Sequence, residues 1–108
     1  MGLKLPRPIF NYFSSDGTDG EAVAACFTEN GVVKDEGRTY IGRPAIAIWK
    51  TEASRKYRYT SAPRACMRQD GRTVVTARLT GSFPGSPVDL RYFFELAAGK
   101  IASLEIKP

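Results

Sequence analysis

The chain has 108 residues, 43% of them hydrophobic and 25% charged, which is typical of a globular protein with one core. It contains no histidine, so a Ser-His-Asp triad, a Cys-His dyad and a histidine-ligated metal site are excluded. The net charge of +5 comes from scattered basic residues without the motif of a nucleic-acid-binding module, so we do not expect nucleic acid as a partner. Acid–base chemistry must therefore use Asp, Glu, Tyr or Lys.

The two cysteines, Cys26 and Cys66, lie far apart and form no CxxC pattern. The first ten residues are interrupted by Pro6 and Pro8 and hold no apolar run long enough for a signal peptide or a membrane span. We therefore expect reduced thiols, a cytoplasmic location and no membrane partner. Neither a zinc-binding cysteine set nor a glycine-rich phosphate loop is found, so we expect no metal and no other cofactor.

The first quarter of the chain has the spacing of two helices. The pattern predicts one helix over residues 6–17, after a proline start, and a second, shorter helix over residues 18–31. Thr18 or Asp19 is the predicted cap of the second helix. Their apolar positions are Ile9, Phe10 and Phe13 in the first helix, and Val23, Cys26 and Phe27 in the second.

A short strand is predicted at residues 32–35, followed by a loop as far as Gly42. The longest predicted helix follows over residues 43–57, with Pro44 in its first turn. Steps of three and four residues place four apolar side chains on one face of this helix: Ile46, Trp49, Ala53 and Tyr57.

From residue 58 onward the period of the pattern changes from helical to alternating. Four strands are predicted, over residues 58–71, 72–83, 88–96 and 100–106. Short turns between consecutive strands indicate an antiparallel meander, and helices that precede strands indicate an α+β domain with the helices on one face of the sheet. A strongly twisted sheet under three short helices curls into a cone, and we expect its open mouth to form a pocket.

The alternation in the strands also predicts which side chains face the helices. The inner positions are Val75, Ala77, Leu79, Val88, Leu90, Tyr92, Phe94, Leu96, Ala102, Leu104 and Ile106. In the short strand at 32–35, Val33 and Asp35 lie on the same side, so an inward valine brings Asp35 inward while its neighbours on either side point outward. The alternative is that Asp35 caps the following loop or pairs with Arg38 or Arg43.

Short helices, the segment ACFTENGVVKDEGRTYIGRPAI (25–46), a long helix and a meander together resemble the nuclear-transport-factor-2-like superfamily. Within it, the pattern is most similar to the SnoaL-like group, which includes polyketide cyclases and ketosteroid-isomerase-like proteins. The resemblance covers nearly the whole chain as a single domain, residues 1–108. Its most specific positions are Phe27, Glu29, Asn30, Asp35, Gly42, Ala45 and Ile46.

The resemblance implies the fold class in more detail. It implies an α+β, cystatin-like roll, in which a cone-shaped barrel of a strongly curved, mostly antiparallel sheet is covered by three N-terminal helices. It also implies a homodimer formed through the outer face of the sheet, where Arg78 and Arg91 lie.

The resemblance further implies roles for individual residues. In ketosteroid isomerase a strand aspartate is the general base, and a tyrosine and a protonated aspartate donate hydrogen bonds to the enolate. Asp35 matches the base, Tyr12 lies near the tyrosine if one residue is deleted, and Tyr92 falls on or beside the second donor. Both tyrosines are equally compatible with plain core packing. The other predicted pocket-lining residues are Phe13, Val33, Trp49, Tyr57, Tyr59, Leu79, Leu90 and Phe94.

Two functions follow from these expectations. The first is a small-molecule-binding protein that acts as a cofactor-free isomerase, cyclase or dehydratase on a small hydrophobic carbonyl compound, with Asp35 as the general base. The alternative is a non-catalytic ligand-binding or protein-interaction domain of the same fold, whose cone holds an apolar metabolite or is filled by side chains. We expect a small hydrophobic ligand in the first case and in the ligand-binding form of the second.

Overall fold

The computed structural model describes residues 3–16 and 19–108, and in these ranges the chain forms three helices and six strands. They are α1 (Arg7–Ser15), α2 (Gly20–Ala24), β1 (Phe27–Asp35), β2 (Arg38–Ile41), α3 (Arg43–Lys56), β3 (Tyr59–Gln69), β4 (Arg72–Gly81), β5 (Val88–Ala97) and β6 (Lys100–Lys107). None of the helices in these ranges is long and apolar enough to cross a membrane. The predicted cap Thr18 and the predicted helix end at residue 17 lie outside the described residues, whereas Asp19 accepts a hydrogen bond from the Glu21 amide at 3.0 Å.

The strands form one curved sheet in the order β2-β1-β6-β5-β4-β3. All neighbouring strands run antiparallel except β1 and β6, which are parallel. The predicted α+β class, with a mostly antiparallel sheet under N-terminal helices, is confirmed. The sheet does not close into a barrel, since β2 and β3 remain as its two edges. We call the space between its concave face and the helices α1 and α3 the interior.

Helix α1 packs on the concave face through residues one turn apart. Ile9, Tyr12 and Phe13 are buried, as the i, i+3, i+4 geometry of an amphipathic helix requires. Phe10 was expected on the same face, and this prediction is wrong, because the residue is 54% exposed. It follows Ile9 directly and is therefore rotated by about 100° around the helix axis.

The second predicted helix is the largest error of the sequence interpretation. Helix α2 ends at Ala24, and Phe27 to Asn30, predicted as helix, belong to strand β1. Long-range pairing decides this, because Phe27 pairs with Ile101 of β6. Gly31 permits the close packing in this strand, since a Cβ atom there would lie 2.9 Å from the Cβ of Phe27.

The segment predicted as a loop as far as Gly42 contains strand β2, which pairs antiparallel with β1. The turn between them is tight, with positive φ angles of 52° at Glu36 and 76° at Gly37. Such a turn is short enough to join adjacent strands. It places Asp35 at the last position of β1, directly before the chain reverses.

For β5, predicted as a strand over residues 88–96, the predicted inner face is borne out as far as Phe94. Tyr92 and Phe94 are buried against α1, whereas Leu96 is 38% exposed. The register of β5 against β6 shifts between Glu95 and Leu96. An irregularity of this kind breaks the two-residue alternation, so the prediction for Leu96 was wrong.

Candidate functional site

A groove of about 620 Å³ opens where β1 turns into β2. It is bounded by the turn at residues 34–39, by Leu90 of β5 and by the chain end at residues 105–108. Among the predicted site residues, Asp35 and Leu90 border this groove. Leu90 is also packed against the core, so the groove adjoins the interior, with Asp35 at its edge.

Asp35 is half-buried, whereas its neighbours Lys34 and Glu36 are exposed, as the alternation predicts. Its Oδ2 atom accepts a hydrogen bond from Nε1 of Trp49 at 3.1 Å. The alternative of an arginine partner does not hold in the described part of the chain, where no ion pair joins Asp35 to Arg38 or Arg43. The carboxylate therefore faces an indole donor instead of a cation at contact distance.

Burial raises the pKa of the Asp35 carboxyl above its usual value of 3.8, although the Trp49 hydrogen bond and the charge of Lys50 act in the opposite direction. Removing a carboxylate from water disfavours its charged form. A raised pKa makes Asp35 a stronger base once it is ionised, which is the tuning that proton abstraction needs.

An aromatic cluster fills the interior behind Asp35. The rings of Tyr12 and Tyr92 lie 6.1 Å apart, and each packs edge-on against Phe13, at 5.0 Å in both cases. Phe94 also contacts Tyr12, with ring centroids 5.6 Å apart. Both tyrosines and Phe94 are almost completely buried.

The hydroxyl of Tyr12 is buried and has no hydrogen-bond partner among the described residues. Burial raises the pKa of Tyr12 and of Tyr92 well above the usual range, and the negative charges of Asp16 and Asp35 add to the increase. Both phenols are therefore neutral and can donate a hydrogen bond. The charge of Asp35 contributes less to the raised pKa of either tyrosine than burial and the charge of Asp16 do.

A second polar group at the other end of the interior was not found from the sequence. Asp16, at the end of α1, accepts hydrogen bonds on Oδ1 from Lys50 and from Tyr59, both at 2.7 Å, and on Oδ2 from Ser61 at 2.9 Å. The side chains of Lys50 and Asp16 are only 5% and 1% exposed. Tyr59, predicted as a pocket-lining residue, is part of this buried network.

Lys50 connects this network to Asp35 through an aromatic ring. Its Nζ atom lies 4.3 Å from the ring centroid of Trp49, whose indole nitrogen binds Asp35. The same atom lies 5.5 Å from the ring centroid of Tyr12 and 5.7 Å from that of Tyr59. Aromatic faces at these distances stabilise a cation held away from water.

The remaining predicted lining residues occupy different places. Val33 is fully buried, and Leu79 is partly buried against the core. Tyr57 follows the end of α3 and packs against Phe83, with ring centroids 6.1 Å apart. No residue group in the ranges 3–16 and 19–108 has the three or more His, Cys, Asp or Glu side chains that could hold a metal ion.

No family model and no curated protein matches the chain, but solved structures do. A candidate polyketide cyclase from Sinorhizobium meliloti is 36% identical, with a TM-score of 0.89 and 95% of each chain covered. A protein of ketosteroid-isomerase-like fold from Catenulispora acidiphila, solved with trimethylamine, is 18% identical, with a TM-score of 0.85 over 97% of this chain and 87% of that one.

The epoxide hydrolase/cyclase-like enzyme SalBIII, which has a role in pyran ring formation in the polyether salinomycin, is 20% identical. Its TM-score is 0.77, with 94% of this chain and 87% of the SalBIII chain covered. Further similar structures have cystatin and nuclear-transport-factor-2-like folds. The similarities at 20% identity and below concern the fold alone.

Proposed function

The chain belongs to the nuclear-transport-factor-2-like superfamily and its SnoaL-like group, and on that premise we propose that it is a cofactor-free isomerase or cyclase. Its substrate is a small hydrophobic carbonyl compound, and Asp35 is the general base. The candidate polyketide cyclase at 36% identity supports this class of reaction. The resemblance of Asp35 and Tyr12 to the ketosteroid isomerase pattern supports the roles of the residues.

The reaction requires the removal of a hydrogen next to the carbonyl group of the substrate and the stabilisation of the enolate oxygen that forms. Asp35 takes a proton from the substrate carbon next to the carbonyl group. The electron pair of the broken C–H bond moves toward the carbonyl group, whose oxygen becomes the enolate oxygen. Trp49 holds Oδ2 of Asp35, so the other carboxylate oxygen receives the proton. Return of that proton to a different carbon completes an isomerisation. For a cyclisation, the enolate carbon attacks a second carbonyl group of the same substrate, and the proton held by Asp35 goes to the alkoxide that forms.

The observation that carries the proposal is the buried hydroxyl of Tyr12, which has no hydrogen-bond partner among residues 3–16 and 19–108. A buried donor without an acceptor costs about 1–3 kcal/mol, and native structures keep few such groups. The carbonyl oxygen of a ligand supplies the missing acceptor. Because the phenol is neutral, it can donate to this oxygen throughout the reaction without losing its own proton.

The proposal is tested by the exchange of ligand hydrogens with deuterium oxide, which detects proton abstraction without knowledge of the final product. Flat steroid and polyketide-like ketones are incubated with the protein, and loss of the α-hydrogen signals is followed by NMR. We expect exchange with the wild type and a decrease of about 10²–10⁴-fold in Asp35→Asn, the usual contribution of a general base. Glu52→Gln, the same chemical change at an exposed position of α3, is the matched control.

Undiminished exchange in Asp35→Asn would remove Asp35 from the mechanism. A second candidate function, a non-catalytic ligand-binding or protein-interaction domain, is favoured by the mutual packing of Tyr12, Phe13, Tyr92 and Phe94, which fill the interior with side chains. Saturable binding of a ketone without hydrogen exchange is the result that would establish this second function and contradict the first.

A further inference from the structure

The side chain of Trp49 links the buried ion pair to the candidate base. Its Nε1 atom donates a hydrogen bond to Oδ2 of Asp35 at 3.1 Å, and its ring centroid lies 4.3 Å from Nζ of Lys50. One rigid side chain therefore contacts two groups of opposite charge, one with its nitrogen and one with its ring. Lys50 can act on Asp35 through this indole as well as directly through space.

The contact between Lys50 and Trp49 does not follow from helix geometry. Adjacent residues of a helix point about 100° apart and do not face each other, and a lysine side chain is long enough to extend to water. Nζ of Lys50 is instead bound to Asp16 at 2.7 Å and to the Tyr59 hydroxyl at 3.0 Å, and only 5% of the side chain is exposed. The residue after α1 and the start of β3 thus hold the ammonium group against the indole.

A cation beside the ring of an indole strengthens its N–H group as a hydrogen-bond donor. The cation attracts the π electrons of the ring, which leaves the N–H group more positive. This polarisation is larger in a site kept from water, because the local dielectric constant is low. A hydrogen bond to the charged form of a carboxyl group favours that form. Lys50 and Trp49 therefore both favour ionised Asp35, against the effect of its burial.

We propose that Asp16 and Lys50 are a positioning pair for Asp35, and that they act on it through Trp49. The pair fixes the indole, and the indole fixes the orientation of the Asp35 carboxyl group for proton transfer. Among the described residues, those that border the groove include neither Asp16 nor Lys50, so neither needs to contact the ligand. Only the use of Asp35 for proton transfer rests on the proposed function, because the contacts themselves need no ligand.

The other charged groups near Asp35 are at least partly exposed to water. Five of them border the same groove: Lys34, Glu36, Arg38, Glu105 and Lys107. Solvent and salt screen such charges. Tyr12 of α1 and Tyr92 of β5 are within electrostatic reach of Asp35, but burial raises the pKa of both, so they are neutral. Among the described residues, Lys50 is therefore the cation near Asp35 that water screens least.

The test measures the pKa of Asp35 by NMR of its carboxyl carbon, with no ligand present. The double variant Asp16→Asn with Lys50→Met removes the buried pair together, so no uncompensated buried charge remains. We expect the pKa of Asp35 to rise by about 0.5–1 unit, because its charged form loses a nearby cation and a strengthened donor. Arg78→Met removes an exposed cation of the sheet surface and is the matched control, which should leave this pKa unchanged.

A second background shows whether the pair acts through the indole. Trp49→Phe keeps an aromatic ring and removes the N–H donor, so removal of the pair should then change the pKa of Asp35 by less than about half as much. Equal changes in the two backgrounds would mean that Lys50 acts only through space and would overturn the proposal. An unchanged pKa in the double variant would overturn it too.

If the double variant does not fold, the reciprocal experiment replaces it, because the coupling between two groups acts in both directions. Asp35→Asn should shift the ¹⁵Nζ resonance of Lys50, and the shift should be less than about half as large in Trp49→Phe. An unchanged resonance, or equal shifts in the two backgrounds, would overturn the proposal. Hydrogen exchange from a ketone without this coupling contradicts only the role of the pair, whereas coupling without exchange from any ketone contradicts only the proposed function.

Discussion

Two aspartates at opposite ends of the interior differ in their hydrogen-bond partners and in their access to water. Among the residues that the structure describes, Asp16 has three side-chain donors, Lys50 among them, and its side chain is 1% exposed. In the same ranges Asp35 has one side-chain donor, Trp49, and it borders the open groove. A buried carboxylate with a full set of partners stabilises the fold, whereas one with few partners remains available to a ligand. The number of partners, more than burial, therefore separates the structural acid from the candidate base.

The largest effect on stability is expected when Lys50, the buried cation beside Asp16, is replaced. Lys50→Met leaves Asp16 buried without its counter-ion, so the free energy of unfolding should fall by about 3–5 kcal/mol. Urea denaturation followed by circular dichroism measures the loss. Combining Lys50→Met with Asp16→Asn should restore most of the stability. A single variant as stable as the wild type would mean that Asp16 does not depend on Lys50.

Removal of the unpartnered hydroxyl should have a smaller effect on stability, in the opposite direction. Tyr12→Phe deletes a buried donor that has no acceptor in the part of the chain that the structure describes, so we expect the free energy of unfolding to stay the same or to rise by about 1 kcal/mol. Hydrogen exchange from a bound ketone should fall by about 10²–10³-fold, as for other oxyanion donors. Tyr92→Phe is the matched control with a smaller loss of exchange. A loss of several kcal/mol in Tyr12→Phe would show that the hydroxyl has a partner.

The charged carboxylate of Asp35, beside the groove, should reduce the stability of the fold at neutral pH. The folded pKa of Asp35 is raised above 3.8, so the folded state binds this proton more tightly than the unfolded state does. The stabilisation of the folded state by protonated Asp35 is complete below pH 3.8 and is lost as the pH rises through the pKa of Asp35 in the folded state. Asp35→Asn avoids this loss, and because Asp35 is partly exposed we expect a gain of only about 0.5–1 kcal/mol at neutral pH.

Thermal unfolding of Asp35→Asn and the wild type, compared at neutral pH and well below pH 3.8, measures this gain. The advantage of the variant should decrease as the pH is lowered. An Asp35→Asn variant that is less stable than the wild type at neutral pH would place Asp35 with Asp16 among the structural acids.

The smallest effect is expected at an ion pair outside the interior. Arg78 donates to Asp89 on the exposed surface of the sheet, with Nε 2.9 Å from Oδ1. Solvent and salt screen such pairs, so Arg78→Met should leave the urea midpoint almost unchanged. A loss comparable to that of Lys50→Met would mean that burial does not explain the importance of the interior pair.

Much of the fold could be predicted because local patterns agree with the tertiary contacts. The alternation in β4 and β5 predicts the inward direction of Val75, Tyr92 and Phe94, which are buried. Phe27 was assigned to a helix because its spacing after Val23 is helical, and only its pairing with Ile101 makes it a strand residue. Pairing over such a distance leaves no local signal.

The Asp16–Lys50 pair is the part of the candidate site that the sequence pattern did not reveal. The two residues are 34 positions apart, and their contact depends on how the end of α1 packs near α3. One signal was present, because Lys50 lies four residues after the buried Ile46 and next to Trp49, within the apolar stripe of its helix. A lysine in such a stripe is usually assigned to the surface, since its long side chain can extend to water.

An NMR titration of the carboxyl carbons of Asp35 and Asp89 in one sample tests most directly whether Asp35 is a partly buried base with a raised pKa. We predict a midpoint above 3.8 for Asp35, which burial raises, and one below 3.8 for Asp89, which the hydrogen bond from Arg78 lowers. A midpoint for Asp35 at or below that of Asp89 would contradict the account, because the carboxylate would then be stabilised in its charged form and poorly suited to take a proton from a ligand.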